Sequence, residues 1–307
     1  MSVINPLISV IIPTFNRPSS LARAVKSVLT QTFGNLECIV VDDCSSIPAS
    51  TILEKQLTYD TRLNVVRNSV NKHVSYSRNI GINLSKGEYI AFLDDDDYWY
   101  PEKLSLQLNT LLDTGTQVNY CWSRLIFSNN SYKYLKPNLS GNVFDLMLHT
   151  QPLCNCSTLL VSRHACHHLS GFNPSLKRGN DGDFIRRLSQ YYHISLTPTV
   201  CVDYHVVTPG GNISTNNSLG YQRSIRSYKY RLAFFRNEFK SRPLKASYVY
   251  FMIGLSYCNL IKPFQALSYF YKTIELSFPV ILEYLFIFTV AIFKFLSSSL
   301  CAILIKK

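Results

Sequence analysis

The chain has 307 residues, 47% of them hydrophobic, so it is long and apolar enough to bury a core and is a globular protein. Its nine cysteines have no paired CxxC spacing, which argues against a disulfide framework and a zinc ribbon. The net charge of +12 is uneven, since residues 221–307 hold 13 Lys and Arg against 3 Asp and Glu. No basic, apolar signal sequence opens the chain, so we expect a cytoplasmic protein.

Strand-like and helix-like segments alternate over the first hundred residues. Buried strands are predicted over 7–15, 36–45, 62–68 and 88–97, and helices over 19–31 and 75–87. Gly87 is expected to close the second helix. This alternation predicts a parallel, doubly wound sheet, in which ligands bind outside the carboxyl ends of the strands. The loop after the first strand contains no glycine, which excludes a GxGxxG dinucleotide site and a P-loop.

Four adjacent aspartates, Asp94 to Asp97, end the fourth predicted strand. Their mutual repulsion is costly unless a cation or solvent compensates it, so the run is either a divalent-metal site or a solvated acidic turn. If the segment is extended, Asp94 and Asp96 face a ligand together, because alternate side chains share a side. Two further acids, Asp42 and Asp43, end the second strand and favour the metal site.

Three blocks then carry a family resemblance: ISVIIPTFNRPSSLARAVKSVLTQTFGNLECIVVDDCS, SYSRNIGINLSKGEYIAFLDDDDYWYPEKL and GFNPSLKRGNDGDFIRRL. In this order they resemble the signature blocks of the family 2 glycosyltransferases, over residues 6–215. The resemblance implies an inverting, metal-dependent hexosyltransferase with a Rossmann-like, mostly parallel sheet flanked by helices and an α-helical C-terminal extension. It implies a catalytic domain over 1–220, and the charge and composition of the remaining residues predict a basic and apolar helical extension over 221–307.

The resemblance also implies roles for individual residues. The nucleotide-sugar positions are Pro13, Thr14, Phe15, Asn16, Arg17, Asp43, Arg78, Asp94 and Asp95. The carboxylate of Asp43 would accept a hydrogen bond from the base, which suits uracil and favours a UDP-sugar donor. A fixed guanidinium fork at Arg78 suits phosphate, although a helix-surface salt bridge would also explain that residue. Asp96 would be the direct ligand of Mn²⁺ or Mg²⁺, with a register ambiguity of one residue because Asp97 extends the run.

The expected catalytic base is Asp181, the second position of the acidic pair in the third block, where Asn180 replaces the first acid. A helix-capping role alone would also account for Asp181. Direct attack by the activated acceptor hydroxyl would invert the anomeric carbon. Asp42, Asp183 and His205 are further site candidates, the last of them near the diphosphate once the glycine-containing segment 204–215 closes.

The tail suggests a membrane surface. Residues 244–277 predict two aromatic-rich helices broken near Pro263, and the apolar run 280–307 carries Lys294 in its most apolar window. A charge at the bilayer centre costs about 2.5–3.5 kcal/mol, so an interfacial helix is favoured over a span. We therefore expect a peripheral enzyme at the cytoplasmic face of the inner membrane, acting on a lipid-linked or polysaccharide acceptor in O-antigen, capsule or lipopolysaccharide synthesis.

Two other function classes remain open from the sequence. A sugar-phosphate nucleotidylyltransferase would share the sheet and the acids, but it would normally show a glycine-rich basic loop after the first strand. A non-catalytic membrane-binding or nucleic-acid-binding module would rest on the basic tail alone. We expect no nucleic-acid partner, because such a role leaves the apolar final residues unexplained.

Overall fold

The computed structural model describes residues 5–150, 153–206 and 217–277. The chain divides into two compact units, Met1–Met147 with Gln151–Gly210, and Leu148–Thr150 with Gly211–Lys307. The strands are β1 Ile8–Thr14, β2 Leu36–Asp42, β3 Leu63–Arg67, β4 Tyr89–Phe92, β5 Tyr98–Trp99, β6 Val118–Phe127, β7 Tyr132–Leu135, β8 Leu159–Ser162 and β9 Ile194–Val206. The helices are α1 Pro18–Leu29, α2 Ala49–Gln56, α3 Val74–Leu84, α4 Lys103–Thr114, α5 Phe144–Met147, α6 Arg163–His168, α7 Asn180–Tyr191, α8 Ser218–Phe234, α9 Arg236–Lys240, α10 Pro243–Asn259 and α11 Pro263–Ser277.

The first unit is built on one sheet with strand order β3-β2-β1-β4-β8-β6-β9-β5, and β7 pairs with β6. Strands β1 to β4 are parallel, as the alternation of elements predicts. The second half is mixed, since β8 runs antiparallel to both β4 and β6 while β6 and β9 are parallel. Every residue of β1 is buried. Val10 and Ile12 pack in the core on one side and Ile11 in the core on the other, which explains an apolar run without alternation.

The predicted strand over 88–97 is too long. Strand β4 ends at Phe92, and the four aspartates form a turn in which the Asp97 amide donates to the Asp94 carbonyl oxygen at 3.0 Å. Four carboxylates cannot continue a strand that is buried on both faces, because the desolvation of each charge would be uncompensated. The run is therefore not extended, so strand alternation does not decide which of its side chains point the same way.

Helix α3 is held close to the sheet by a glycine. A Cβ at Gly81 would clash with the side chain of Ile11 on β1, so only glycine allows this approach. The helix ends at Leu84 and not at Gly87. Gly87 instead lies against β1, where an added Cβ would come within 2.6 Å of the Leu7 carbonyl oxygen. The close packing of α3 fixes the position from which Arg78 projects.

The second unit, in its described part, consists of helices α8 to α11. The predicted pair of helices broken near Pro263 is present as α10 and α11, and Phe251 packs on Phe270 with ring centroids 5.7 Å apart. None of the described helices is long and apolar enough to cross a membrane. The predicted interfacial helix in 280–305 lies outside the described residues.

Candidate active site

The ends of β1 and β4 meet in one acidic site. The Thr14 hydroxyl donates to Asp95 Oδ2 at 2.6 Å, and Arg17 Nη1 donates to Asp96 Oδ2 at 2.5 Å. Arg17 Nε also lies 3.7 Å from Asp95 Oδ1. Burial raises the pKa of Asp95 to about 7, although the Thr14 hydrogen bond and the Arg17 charge oppose that rise. The polar residues at the carboxyl ends of β1 and β4 therefore contact one another.

A buried arginine joins the aspartate run to the expected base. Arg78 donates through Nη1 to Asp181 Oδ1 at 2.7 Å and through Nη2 to Asp94 Oδ1 at 2.6 Å. Its side chain is only 3% exposed, which excludes the alternative of a helix-surface salt bridge. Burial raises the pKa of Asp94, the Arg78 charge lowers it, and the charges of Asp181 and Asp96 raise it again. One guanidinium therefore fixes two carboxylates that are 87 positions apart in the sequence.

The last aspartate of the run points into the protein. Asp97 is fully buried and accepts hydrogen bonds from the Ser157 hydroxyl at 2.5 Å and from the His205 amide at 3.0 Å. Burial, reinforced by the charge of Asp94, raises its pKa well above the ordinary value. Ser157 also accepts from the Asp94 amide at 3.1 Å. Asp97 therefore stabilises the turn through contacts inside the protein, and the side chains of the three preceding aspartates remain at the site.

The two acids at the end of β2 have different partners. Asp42 accepts from the amides of Ser45 and Ala49, so it caps the start of α2. Asp43 is buried and accepts from the Asn68 side-chain amide and from the backbone amides of Lys72 and His73, at 2.7–2.9 Å. Two carboxylate oxygens offer about four acceptor positions, so Asp43 retains capacity for one further donor.

The loops after β1 and β2 and the residue before α3 have unusual backbone geometry. Asn16, Cys44 and His73 all have positive φ, at 54°, 68° and 69°. Non-glycine residues seldom adopt that region, and such strain concentrates at functional sites. Pro13 is buried, whereas Phe15 is 43% exposed. The Phe15 ring is therefore exposed at the point where the buried strand β1 passes into a loop with unusual backbone geometry.

The acids and the histidine around α7 and β9 differ in role. Asp181 lies in the first turn of α7, and the neighbouring Asn180 donates to the Ser75 hydroxyl at 3.0 Å. Asp183 is buried and forms an ion pair with Arg187 at 2.8 Å, one turn further along α7. His205 Nδ1 is buried and has no hydrogen-bond partner among the described residues. The predicted lid falls mostly on residues 207–216, outside the described ranges.

Several site residues carry no signal in the sequence. The Arg23 guanidinium, which is exposed on the first turns of α1, donates to the Asp96 carbonyl oxygen at 2.6 Å. Burial and then the charges of Asp94 and Asp97 raise the pKa of Tyr204 on β9. Both interactions join residues that are distant in the sequence, so no local pattern could reveal them.

The charge balance of the site suits a divalent cation. The carboxyl groups of Asp94, Asp95, Asp96 and Asp181 contact, among the described residues, two guanidinium groups, those of Arg17 and Arg78. Within 5–150, 153–206 and 217–277, no three His, Cys, Asp or Glu side chains form a ready-made metal cage. Mg²⁺ and similar ions bind through one or two carboxylates together with substrate phosphates and do not require such a cage. The hard oxygen donors of Asp94 and Asp96 therefore fit the expected ion.

Comparison with known proteins identifies relatives of this site and fold. The family model Glycosyl transferase family 2 matches residues 9–178. The chain is 30% identical over 220 residues to the Escherichia coli UDP-Glc:alpha-D-GlcNAc-diphosphoundecaprenol beta-1,3-glucosyltransferase WfaP, covering 68% of this chain and 80% of that protein. It is 44% identical over 106 residues to the putative colanic acid biosynthesis glycosyl transferase WcaA of E. coli K12, covering 34% and 37%.

Solved structures share the fold at low identity. S. aureus TarS 1-349 in complex with UDP-GlcNAc aligns with a TM-score of 0.60 and 17% identity, over 89% of this chain and 91% of that chain. The mannosyltransferase PcManGT from Pyrobaculum calidifontis, in complex with GDP-Man and Mn²⁺, aligns with a TM-score of 0.57 and 14% identity, over 91% and 76%. The fold expected from the sequence is confirmed.

Proposed function

Because the chain belongs to glycosyl transferase family 2, and is therefore an enzyme of that class, we propose that it transfers a hexose from a UDP-sugar to a hydroxyl of a lipid-linked saccharide with inversion. The observation that carries this proposal is Arg78, which holds Asp181 and Asp94 on one guanidinium. Asp181, the proposed base, and Asp94, on the side of the donor, are bonded to the same guanidinium, so the distance between the two carboxylates is fixed. That is the arrangement that a single displacement requires.

Asp181 acts as the general base in this reaction. Its carboxylate removes the proton from the acceptor hydroxyl while that oxygen attacks the anomeric carbon of the donor. The bond from the anomeric carbon to the diphosphate oxygen breaks, and its electron pair leaves with the nucleoside diphosphate. A single displacement inverts the anomeric centre, so an α-linked donor gives a β-glycoside. With this role for Asp181, neither a sugar-phosphate nucleotidylyltransferase activity nor a non-catalytic binding role is needed to explain the site.

The donor occupies the crevice between the loops after β1 and β2. Asp43 keeps one acceptor position for the imide N–H of uracil, and Phe15 offers an exposed ring beside it. TarS is described with UDP-GlcNAc, which agrees with this choice, whereas PcManGT is described with GDP-Man. Titration of UDP, GDP, CDP and dTDP by calorimetry tests it, and tighter binding of GDP would overturn the uracil assignment.

A divalent ion is part of the proposal. Asp96 would hold Mn²⁺ or Mg²⁺ together with Asp94, and the ion would neutralise the charge on the departing diphosphate. In this protein Arg17 lies on Asp96 and would have to give up that contact or share it. Asp96→Asn should remove the strengthening of UDP binding by Mn²⁺. Unchanged dependence on Mn²⁺ in that variant would contradict the ligand assignment.

The names of two relatives and the charge of the second unit support the proposed acceptor and location. WfaP is named for a diphosphoundecaprenol-linked acceptor, and WcaA for colanic acid synthesis. Residues 217–277 hold 10 Lys and Arg against 2 Asp and Glu, a charge that suits anionic lipid. We therefore place the enzyme at the cytoplasmic face of the inner membrane, in the synthesis of O-antigen, capsule or lipopolysaccharide.

The base assignment is tested by Asp181→Asn, with Asp113→Asn on the exposed part of α4 as the matched control. Transfer to a synthetic GlcNAc-diphospholipid from UDP-Glc, UDP-Gal and their N-acetylated forms should fall at least about 10²-fold in the first variant and stay unchanged in the control. The affinity for UDP should stay within about twofold in both. An equal loss of UDP binding in Asp181→Asn would overturn the role of base.

A further inference from the structure

The β6–β7 hairpin presents two exposed tyrosines that the catalytic site does not use. Tyr132 and Tyr134 are 57% and 45% exposed, and their ring centroids lie 5.5 Å apart at an interplanar angle of 69°. Tyr134 is paired with Arg124 and Tyr132 with Ile126 on β6, so all four side chains share one face of the sheet. β7 pairs only with β6 in the described part of the chain, so this face ends in an open edge.

Fixed cations hold the rings in place. Arg124 lies 5.6 Å from the ring centroid of Tyr132, and Lys136 Nζ lies 4.6 Å from that of Tyr134 and 5.3 Å from that of Trp122. The indole N–H of Trp122 donates to the Pro137 carbonyl oxygen at 2.9 Å. Such cation–π contacts stabilise ring orientation at a surface where tyrosine would otherwise rotate freely. The rings form a preorganised aromatic platform, defined here as Trp122, Tyr132 and Tyr134.

The platform is tied to the acidic site through β9. Arg124 donates through Nε and Nη2 to both carboxylate oxygens of Asp203, at 2.8 and 2.7 Å, and Tyr100 donates to the same carboxylate at 3.0 Å. Two residues further along β9, the His205 amide bonds to Asp97. Strands lie about 4.8 Å apart, so β7 is about 10 Å from β9 across β6. The rings therefore lie within reach of an extended ligand whose end is at the acids.

We propose that the aromatic platform binds the acceptor saccharide a few sugar rings away from the hydroxyl that is glycosylated. Sugar rings present C–H faces that stack on aromatic rings, and their hydroxyls accept hydrogen bonds from tyrosine and lysine donors. An exposed aromatic patch on the same sheet as a catalytic site is a candidate for contact with the remote part of a long substrate. The inference rests on the proposed function, because it names the substrate region of the same reaction.

The test uses the full chain on an array printed with bacterial polysaccharide fragments of increasing length, from monosaccharides to tetrasaccharides. Tyr132→Ser/Tyr134→Ser should lose at least about tenfold in binding to the longer fragments and retain its affinity for UDP. The matched control is Tyr59→Ser/Tyr191→Ser, which removes two tyrosines that are 89% and 58% exposed elsewhere in the same unit. The control should bind like the unaltered protein.

Three outcomes would overturn the inference. These are binding of no fragment by the unaltered protein, equal binding by the platform variant, and a dimer in sedimentation that the platform variant alone abolishes. The last result would assign the open β7 edge to a second copy of the chain. If fragment binding depends on the tyrosines but the protein binds none of UDP, GDP, CDP and dTDP, the proposed transfer reaction would be wrong while saccharide binding by the platform would stand.

Discussion

Replacement of Arg78 by methionine isolates what the buried guanidinium contributes. The substitution keeps an unbranched side chain but removes the donors at 2.7 Å from Asp181 and 2.6 Å from Asp94. A hydrogen bond to a charged group contributes about 1.5–3 kcal/mol. If the contact with Asp181 is what orients the base, kcat/KM should fall about 10- to 150-fold, at 1.36 kcal/mol per tenfold change.

The assay separates positioning from donor binding. Transfer kinetics and UDP calorimetry in the presence of Mn²⁺ would be compared for Arg78→Met, Arg78→Lys and the unaltered protein, after circular dichroism has shown each to be folded. Arg78→Lys keeps the charge but cannot bridge both acids with a planar fork, so an intermediate loss in kcat is expected. A tenfold weaker affinity for UDP with unchanged kcat would refute this reasoning and return Arg78 to the phosphate-binding role expected from the sequence.

Two further predictions concern stability and membrane binding. Lys103→Met should raise the free energy of unfolding at pH 7 by up to about 3 kcal/mol, because burial lowers the lysine pKa from 10.5 to about 8 and one pKa unit equals about 1.4 kcal/mol. Between pH 8 and 10.5 the lysine is protonated in the unfolded chain but not in the folded protein, so the gain in stability should shrink as the pH rises. Denaturant titrations at pH 7 and pH 10 measure this change, and a constant gain at both pH values would contradict the prediction. Phe264→Ser/Tyr271→Ser on α11, whose side chains are 83% and 69% exposed, should reduce co-sedimentation with phosphatidylglycerol vesicles about tenfold, whereas Leu244→Ser on α10 should not. Equal binding by all three proteins would argue against α11 as the lipid-binding face.

Local patterns in the sequence predicted the parallel half of the fold well. The strands β1, β2 and β4 are buried almost throughout, so their continuous apolar runs predicted them, and β3 is a partly exposed edge strand whose valines carried the signal. No comparable local pattern predicted helix α2 or the mixed strand order of the second half of the sheet. Strand β7 is fully exposed and is specified only by its pairing with β6.

The sequence by itself determined which chemical groups this protein has at the ends of its strands, because strand periodicity and turn residues are local properties. It placed Thr14, Arg17 and the aspartate run at one edge of the sheet. Only the tertiary structure decided which of those charges meet. Arg78 bonds to Asp181, 103 positions away in the sequence, and Asp97 bonds to Ser157, 60 positions away. A buried charge must be paired, and its partner is the group that the packing of the chain brings within reach.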